Sequence, residues 1–335
     1  MGDILDKQQK DFGRIQKMAM AFQQSRILLT AYELGVFTAL DDGPLTAGDV
    51  AGRIMADVRA TDRLLAALTA LDLLIKEGDR YENTPAASEF LVEDRPGFMS
   101  GLMHAVHLWD SWSTLTAAVR QGESVVARPV NDRGERWLTA FIRAMHWRAV
   151  KQAENVVDLL RVEVDEKVLD VGGGSGAYAM AFANRAPGVT ATVFDLPNVV
   201  PLTRGYVEEA ELSDRVGTAV GDYLTDELGS GYDTGFLSAI IHSNTPEQNR
   251  ELFAKVYRAL NPGGRIVVQD FIMDPDRTSP AFGAVFALNM LVGTHGGDTY
   301  TDAQVRGWMS DVGFTDMESM DTGVGTTLII GKKPA

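Results

Sequence analysis

Apolar residues recur at helical spacing through the first hundred positions, where Met18, Phe22, Ile27, Leu28, Ala31 and Leu34 trace one face and Gly35 supplies a stop. Thr46, three residues before Asp49, predicts an N-cap that opens a short helix to about Arg53. A third helix is predicted from Thr61, with Leu64, Leu65, Leu68 and Leu71 on one face. LLIKEGDRYENT then reads as two β-prone pieces around Glu77-Gly78-Asp79, a hairpin. Three helices and a hairpin are the layout of a winged-helix module. Residues 97–150 return to helical spacing in GFMSGLMHAVHLWDSWSTLTAAVRQG and ERWLTAFIRAMHWRAVKQAENVVDLL, with a looser VVARPVNDRGE between them.

From Glu166 onward the pattern alternates. KVLDV, VTATVFDL, RVGTAVGDY, TGFLSAIIH and RIVVQDF are predicted strands, separated by helices in AYAMAFANRAPG, VVPLTRGYVEEAEL and PEQNRELFAKVYRALNPGG. The last of these helices has Thr245 as N-cap, Pro246 at its first position and Gln248 closing a capping box. The expected fold is α/β: a C-terminal doubly wound, Rossmann-like parallel sheet behind a mainly helical winged-helix domain, divided as residues 1–100 and 101–335. In such sheets ligands bind beyond the carboxyl ends of the strands.

Charge changes the reading of the N-terminal module. Its first hundred residues hold eleven Lys and Arg against sixteen Asp and Glu, and the would-be recognition helix TDRLLAALTALDL carries one Arg, two Asp and an apolar stripe. That helix offers a packing face rather than phosphate contacts, so dimerisation or structural support is expected in place of DNA binding. The whole chain of 335 residues has a formal charge of −15, which argues against nucleic acid and anionic membranes as partners. Cysteine is absent, which excludes thiolate chemistry and disulfides. No signal-like or spanning apolar run is present, so a cytoplasmic protein is expected.

VLDVGGGSGAY, Val168 to Tyr178, carries the chemistry. Gly172, Gly174 and Ala177 fit the G-x-G-x-x-A turn of a dinucleotide fold, and Asp195 follows at about the 20-residue distance of a ribose-binding acid. Asp170 to Asn184 holds no Lys or Arg to meet a pyrophosphate, although a helix N-terminus can hold phosphate unaided. S-adenosylmethionine, with cationic ammonium and sulfonium groups, fits better beside Asp170. Asp195, ending VFDLP with Leu196 beyond it, suits both ribose hydroxyls, and Gly221-Asp222-Tyr223 supplies an acid and an aromatic ring for the adenine. No metal is expected, because no carboxylate or His cluster has ligand spacing.

The segment Val168 to Val200, GDY at 221–223, IIHSNTPEQN at 240–249, NPGGRIVVQDF at 261–271 and the N-terminal layout together resemble the small-molecule O-methyltransferase family, whose members act on acetylserotonin, caffeic acid and polyketides. The resemblance spans nearly the whole chain. It implies a homodimer built on the N-terminal domain and S-adenosylmethionine bound to the C-terminal one. It implies further that Gly172 and Gly174 pack against the methionine moiety, Asp195 binds the ribose, Asp222 and Tyr223 bracket the adenine, and Ser238 borders the cofactor. His242 falls where the family keeps its catalytic histidine, and Asp270 where an orienting carboxylate sits. A neutral imidazole, with a reference pKa of about 6.5, is suited to take the proton of a phenol near pKa 10 as it attacks.

The chain departs from the family at Thr299 and Tyr300, where many relatives carry a Glu-Arg pair whose Glu flanks the histidine; Asp298 is the available substitute. That leaves room for an S-methyltransferase acting on a small thiol or thioether acid. Readings from other classes are a winged-helix ligand-sensing regulator, which should show a basic face, and a nicotinamide-dependent oxidoreductase, which should not need His242. For the acceptor pocket the candidates are Met103, His104, His107, Trp109, Trp112, Met145 and His146, each also readable as a packing residue. Arg143 and Arg148 are either anchors for an acidic substrate or surface residues of an amphipathic helix.

Overall fold

The structure, a computed structural model, describes residues 2–335, with side chains from residue 6 onward. It divides into two compact units, Met1–Val106 and His107–Ala335. The first holds α1 (Gly2–Glu33), α2 (Val36–Ala39), β1 (Leu45–Thr46), α3 (Ala47–Arg53), α4 (Val58–Ala70), β2 (Leu74–Glu77), β3 (Arg80–Asn83) and α5 (Pro85–Leu91). Its strands form a small antiparallel sheet in the order β1-β3-β2. Gly35, at φ 72, lets the chain turn between α1 and α2. Thr46 and Asp49 cap α3 reciprocally as expected. Helix α4 begins at Val58 rather than Thr61, because the Asp57 carboxylate accepts the Ala60 N–H and caps the helix earlier. Leu65 and Leu68 of α4 are fully buried against Phe37 and Tyr81, so this face belongs to the core.

The border between the units falls inside α6 (Leu102–Trp112). The predicted helical stretch does not continue through residue 122: the Ser113 and Thr114 hydroxyls donate to the Asp110 and Ser111 carbonyls and compete with the helical ladder. After the break come α7 (Leu115–Gln121), α8 (Glu135–Val150) and α9 (Ala153–Asp158).

The remaining elements are β4 (Lys167–Val171), α10 (Ala177–Arg185), β5 (Thr190–Asp195), α11 (Val200–Glu209), β6 (Val216–Val220), β7 (Tyr232–Ser238), α12 (Pro246–Ala259), β8 (Leu260–Asp270), α13 (Ala281–Gly293), α14 (Asp302–Val312), β9 (Thr315–Asp321) and β10 (Thr327–Lys332). They build a seven-stranded sheet ordered β6-β5-β4-β7-β8-β10-β9. Alternate side chains feed two cores: Val168, Phe236 and Val267 pack with Phe182 of α10, while Leu169, Leu237 and Val268 pack with Phe253 of α12 and Trp308 of α14. Strand order reverses between β5-β4 and β7-β8, which opens a crevice at the carboxyl ends.

Three strand expectations need correction. The sheet is not wholly parallel, because β10 runs antiparallel to β8 and β9 antiparallel to β10. The fourth strand stops at Ser238: Ala239, at φ 56, turns the backbone, and Ile241–Ser243 form a single 3-10 turn. The third strand stops at Val220, leaving Gly221-Asp222-Tyr223 in the loop beyond it. No helix among the described residues is long and apolar enough to cross a membrane.

Candidate active site

At the end of β4 the chain enters α10 through a turn in which Gly172, Gly174 and Gly176 have φ values of 66, 58 and 77. Side chains are excluded here by space as well as by backbone conformation. A Cβ on Gly172 would meet Ile240 Cδ1 at 2.4 Å, and one on Gly173 would meet the Asp170 carboxylate at 2.4 Å. Asp170 itself is buried, and neither of its oxygens has a hydrogen-bond partner. Burial pushes its carboxyl up to about 7; the Ala179 N–H approaches closely enough to offset part of that rise, and the Asp195 charge adds to it.

Asp195 ties the second strand end to the turn. Its Oδ2 accepts the Gly174 N–H at 2.8 Å and its Oδ1 accepts the Leu196 N–H at 2.7 Å. Burial raises this carboxyl to about 6 against the pull of those two backbone donors. The Gly221 N–H donates to the Asp195 carbonyl at 3.0 Å, and a Cβ there would strike the Phe194 ring. Asp222 accepts the Leu224 N–H, and the Tyr223 hydroxyl donates to Asn244 Oδ1 at 3.1 Å with its ring near Gly172. Lys255 of α12 fixes this loop by donating to the Tyr223 and Leu224 carbonyls. At the end of β7 the Ser238 hydroxyl donates to Gln269.

One strand further on, His242 and Asp270 meet. His242 Nδ1 lies 2.8 Å from Asp270 Oδ1, and the same carboxylate accepts the Phe271 N–H at 2.8 Å. Both residues are buried. The 3-10 turn carrying His242 is held by Asn249, which donates to the Ile241 carbonyl, and by the Asp298 N–H, which donates to the His242 carbonyl. The Asp298 carboxylate is engaged elsewhere: it takes Arg277 at 2.6 Å and the Thr299 N–H at 2.8 Å. Thr299 and Tyr300 are buried packing residues, with the Tyr300 hydroxyl donating to the Asn244 carbonyl. Asp270 is therefore the carboxylate that contacts the imidazole. Phe286 of α13 stands edge-on to the His242 ring at 4.9 Å, and Phe271 lies at 6.2 Å.

Trp112 donates its indole N–H to Asn289 of α13 at 2.9 Å. Met145 is partly buried on α8, His107 and Trp109 are partly buried on α6, and Met103 and His104 belong to the first unit. His146 is committed to Ser175, 2.9 Å away, and to a stack on Tyr206 at 4.0 Å, where burial lowers its pKa. Sequence reasoning missed Ile240, Asn249, Phe271, Phe282, Phe286 and Asn289. Only the i, i+4 spacing of Phe282 and Phe286 hinted at a shared face. Among the described residues no group of three or more His, Asp or Glu could hold a metal ion.

A seven-stranded sheet with a glycine turn at its switch point and acids beyond successive strands defines a nucleoside-binding α/β protein. A family model of the O-methyltransferase domain matches residues 112–315, and one of the O-methyltransferase dimerisation domain matches residues 16–93. The chain belongs to the O-methyltransferase family. It is 35% identical to the tetracenomycin polyketide synthesis 8-O-methyl transferase TcmO of Streptomyces glaucescens, over 96% of this chain and 97% of that protein. It is 32% identical to the 3-hydroxy-5-methyl-1-naphthoate 3-O-methyltransferase of Streptomyces sahachiroi, over 90% and 89%. Human N-acetylserotonin methyltransferase, solved in complex with SAM, superposes with a TM-score of 0.84 at 27% identity, over 97% of this chain and 98% of that one.

Proposed function

We propose that the protein methylates a hydroxyl group of a small molecule, with S-adenosylmethionine as donor and His242 as general base. The observation that carries this reading is the buried 2.8 Å contact between His242 Nδ1 and Asp270. A carboxylate can only accept, so Nδ1 holds the proton and Nε2 is left as the basic nitrogen. As the acceptor oxygen attacks, its proton passes to Nε2, and Asp270 stabilises the imidazolium that results. A sulfur acceptor needs little deprotonation, so the dyad favours a hydroxyl.

The residues around the glycine turn fit the cofactor. Asp170 offers two unpaired oxygens to a cationic amino group, and Gly172 and Gly174 allow close backbone approach. Asp195 keeps lone pairs for ribose hydroxyls, Gly221, Asp222 and Tyr223 would flank the adenine, and Leu196 and Ser238 would border it. When bound, S-adenosylmethionine supplies a methyl group on a cationic sulfur leaving group. The protein's own work is alignment and proton removal. Residues 1–100 are read as the dimerisation module of a homodimer and residues 101–335 as helical linker plus catalytic domain.

The test is calorimetric titration with S-adenosylhomocysteine beside single-turnover methyl transfer to a panel of phenols, for wild type and His242→Ala. The variant should keep its affinity within about twofold and lose roughly 10²- to 10⁴-fold in transfer rate. Undiminished transfer would remove His242 from the chemistry, and a wild type that does not bind S-adenosylhomocysteine would sink the whole reading.

A further inference from the structure

The guanidinium of Arg148, on α8, lies 5.0 Å from the centroid of the Phe271 ring and 5.7 Å from that of Phe282. Phe271 directly follows Asp270, and its ring is 6.2 Å from the His242 ring, so cation and base stand around one aromatic side chain. Phe282 is 53% exposed and Arg148 is also exposed, so both are open to solvent. Packing on the rings nevertheless strips water from the guanidinium, which depresses its pKa; Tyr178 and Asp270 oppose that effect through their charge.

Several other arginines of this unit are satisfied by carboxylates, as Arg265 is by Glu166, Arg258 by Glu227 and Arg277 by Asp298, while Arg133 lies over Trp137 but spends its N–H donors on backbone carbonyls. Among the described residues Arg148 has contacts with rings alone. Stacking occupies the flat face of a guanidinium and leaves the N–H donors at its edge free, in the fork that matches a carboxylate. The feature therefore combines an aromatic shelf that runs from the buried Phe271 to the exposed Phe282, an unpaired bidentate donor and the proposed base within one cluster.

We propose that Arg148 anchors a carboxylate of the methyl acceptor, which makes the substrate class an aromatic hydroxy acid. This rests on the reading of His242 as the base of a methyl-acceptor site. The acceptor ring would lie along Phe271, Phe282 and Phe286, with its carboxylate on Arg148 and its hydroxyl toward His242.

The experiment titrates the protein, saturated with S-adenosylhomocysteine at pH 7.5, with 6-hydroxy-2-naphthoate and with 6-hydroxy-2-naphthamide. Wild type should bind the acid about 10- to 100-fold more tightly than the amide, the worth of a charge-assisted pair. Arg148→Met, which keeps the length and the apolar stem, should lose that preference while its amide affinity stays within about threefold. Arg148→Lys should keep part of the preference. Equal binding of acid and amide by wild type, binding of neither, or an undiminished preference in Arg148→Met would each overturn the proposal. Failure of S-adenosylhomocysteine to bind wild type is a separate reading on the same instrument, and it would overturn the methyltransferase assignment of this site instead.

Discussion

Asp170 is a carboxyl group in an unfavourable place, buried with both oxygens unpaired and its pKa raised to about 7. A raised carboxyl pKa means that the folded chain holds its proton over a range where the unfolded chain has released it. Stability relative to a neutral side chain is therefore fully present below about pH 4 and is lost as pH rises through about 7. Asp170→Asn should accordingly melt higher than wild type at pH 8 without ligand, by an amount equivalent to at most about 4 kcal/mol, with the gap closing toward pH 4. Scanning calorimetry at the two pH values checks it, and a gap that widens on acidification would contradict the account. The same variant should bind S-adenosylmethionine more weakly, because the carboxylate proposed to meet the cationic amino group is gone. At this scale the sequence showed acids at successive strand ends, and the resemblance implied the pairing of Asp270 with His242 that the structure has at 2.8 Å, but the backbone partners of Asp195 were not legible. Asp195 could be named from its place in VFDLP, yet its bond to Gly174 depends on two segments 21 residues apart meeting in space.

Among the elements, the glycine turn was readable because its constraint is local: a strand, a left-handed turn and a helix in eleven residues. Gly172→Ala should be costly, since alanine at φ 66 is strained by about 1–2 kcal/mol before the contact with Ile240 is counted. A loss of at least about tenfold in S-adenosylhomocysteine affinity is expected. Gly205 is the control, because it lies inside α11 with open space around it, and alanine there should stabilise by about 0.5–1 kcal/mol. Chemical denaturation of the two variants should move in opposite directions. By contrast β9 could not be read. TDMESMD has its apolar residues, Met317 and Met320, three apart, which is helical rather than strand spacing. It is a strand because β10 pairs with it, across a register shift between Ile330 and Lys332. The fourth strand was overextended for the complementary reason: its apolar run continues through Ile240 and Ile241, and only the backbone turn at Ala239 ends it.

Assembly belongs to the whole chain. Helix α1 leaves Phe12, Ile15, Met18 and Phe22 exposed at 65%, 62%, 69% and 53%, a stripe at helical spacing within or beside the matched dimerisation segment. Apolar side chains so placed suit a partner. Light scattering should give twice the 36.4 kDa chain mass, and replacing Phe12 and Ile15 by Glu should shift the protein toward monomer. A wild type that runs as a monomer at micromolar concentration would refute this. The sheet also divides its labour along its width. The proposed cofactor contacts are concentrated at the ends of β4, β5 and β6, whereas the proposed base, its carboxylate and the aromatic shelf come from the chain after β7, from the end of β8 and from α13. Descent with modification can then act on one half at a time. On the proposed reading, substitutions in the stretch from Phe271 to Thr299 would change what is methylated and leave the donor half as inherited, which makes that stretch, together with Arg148, a place to diversify a library or exchange segments between relatives when a new acceptor is wanted.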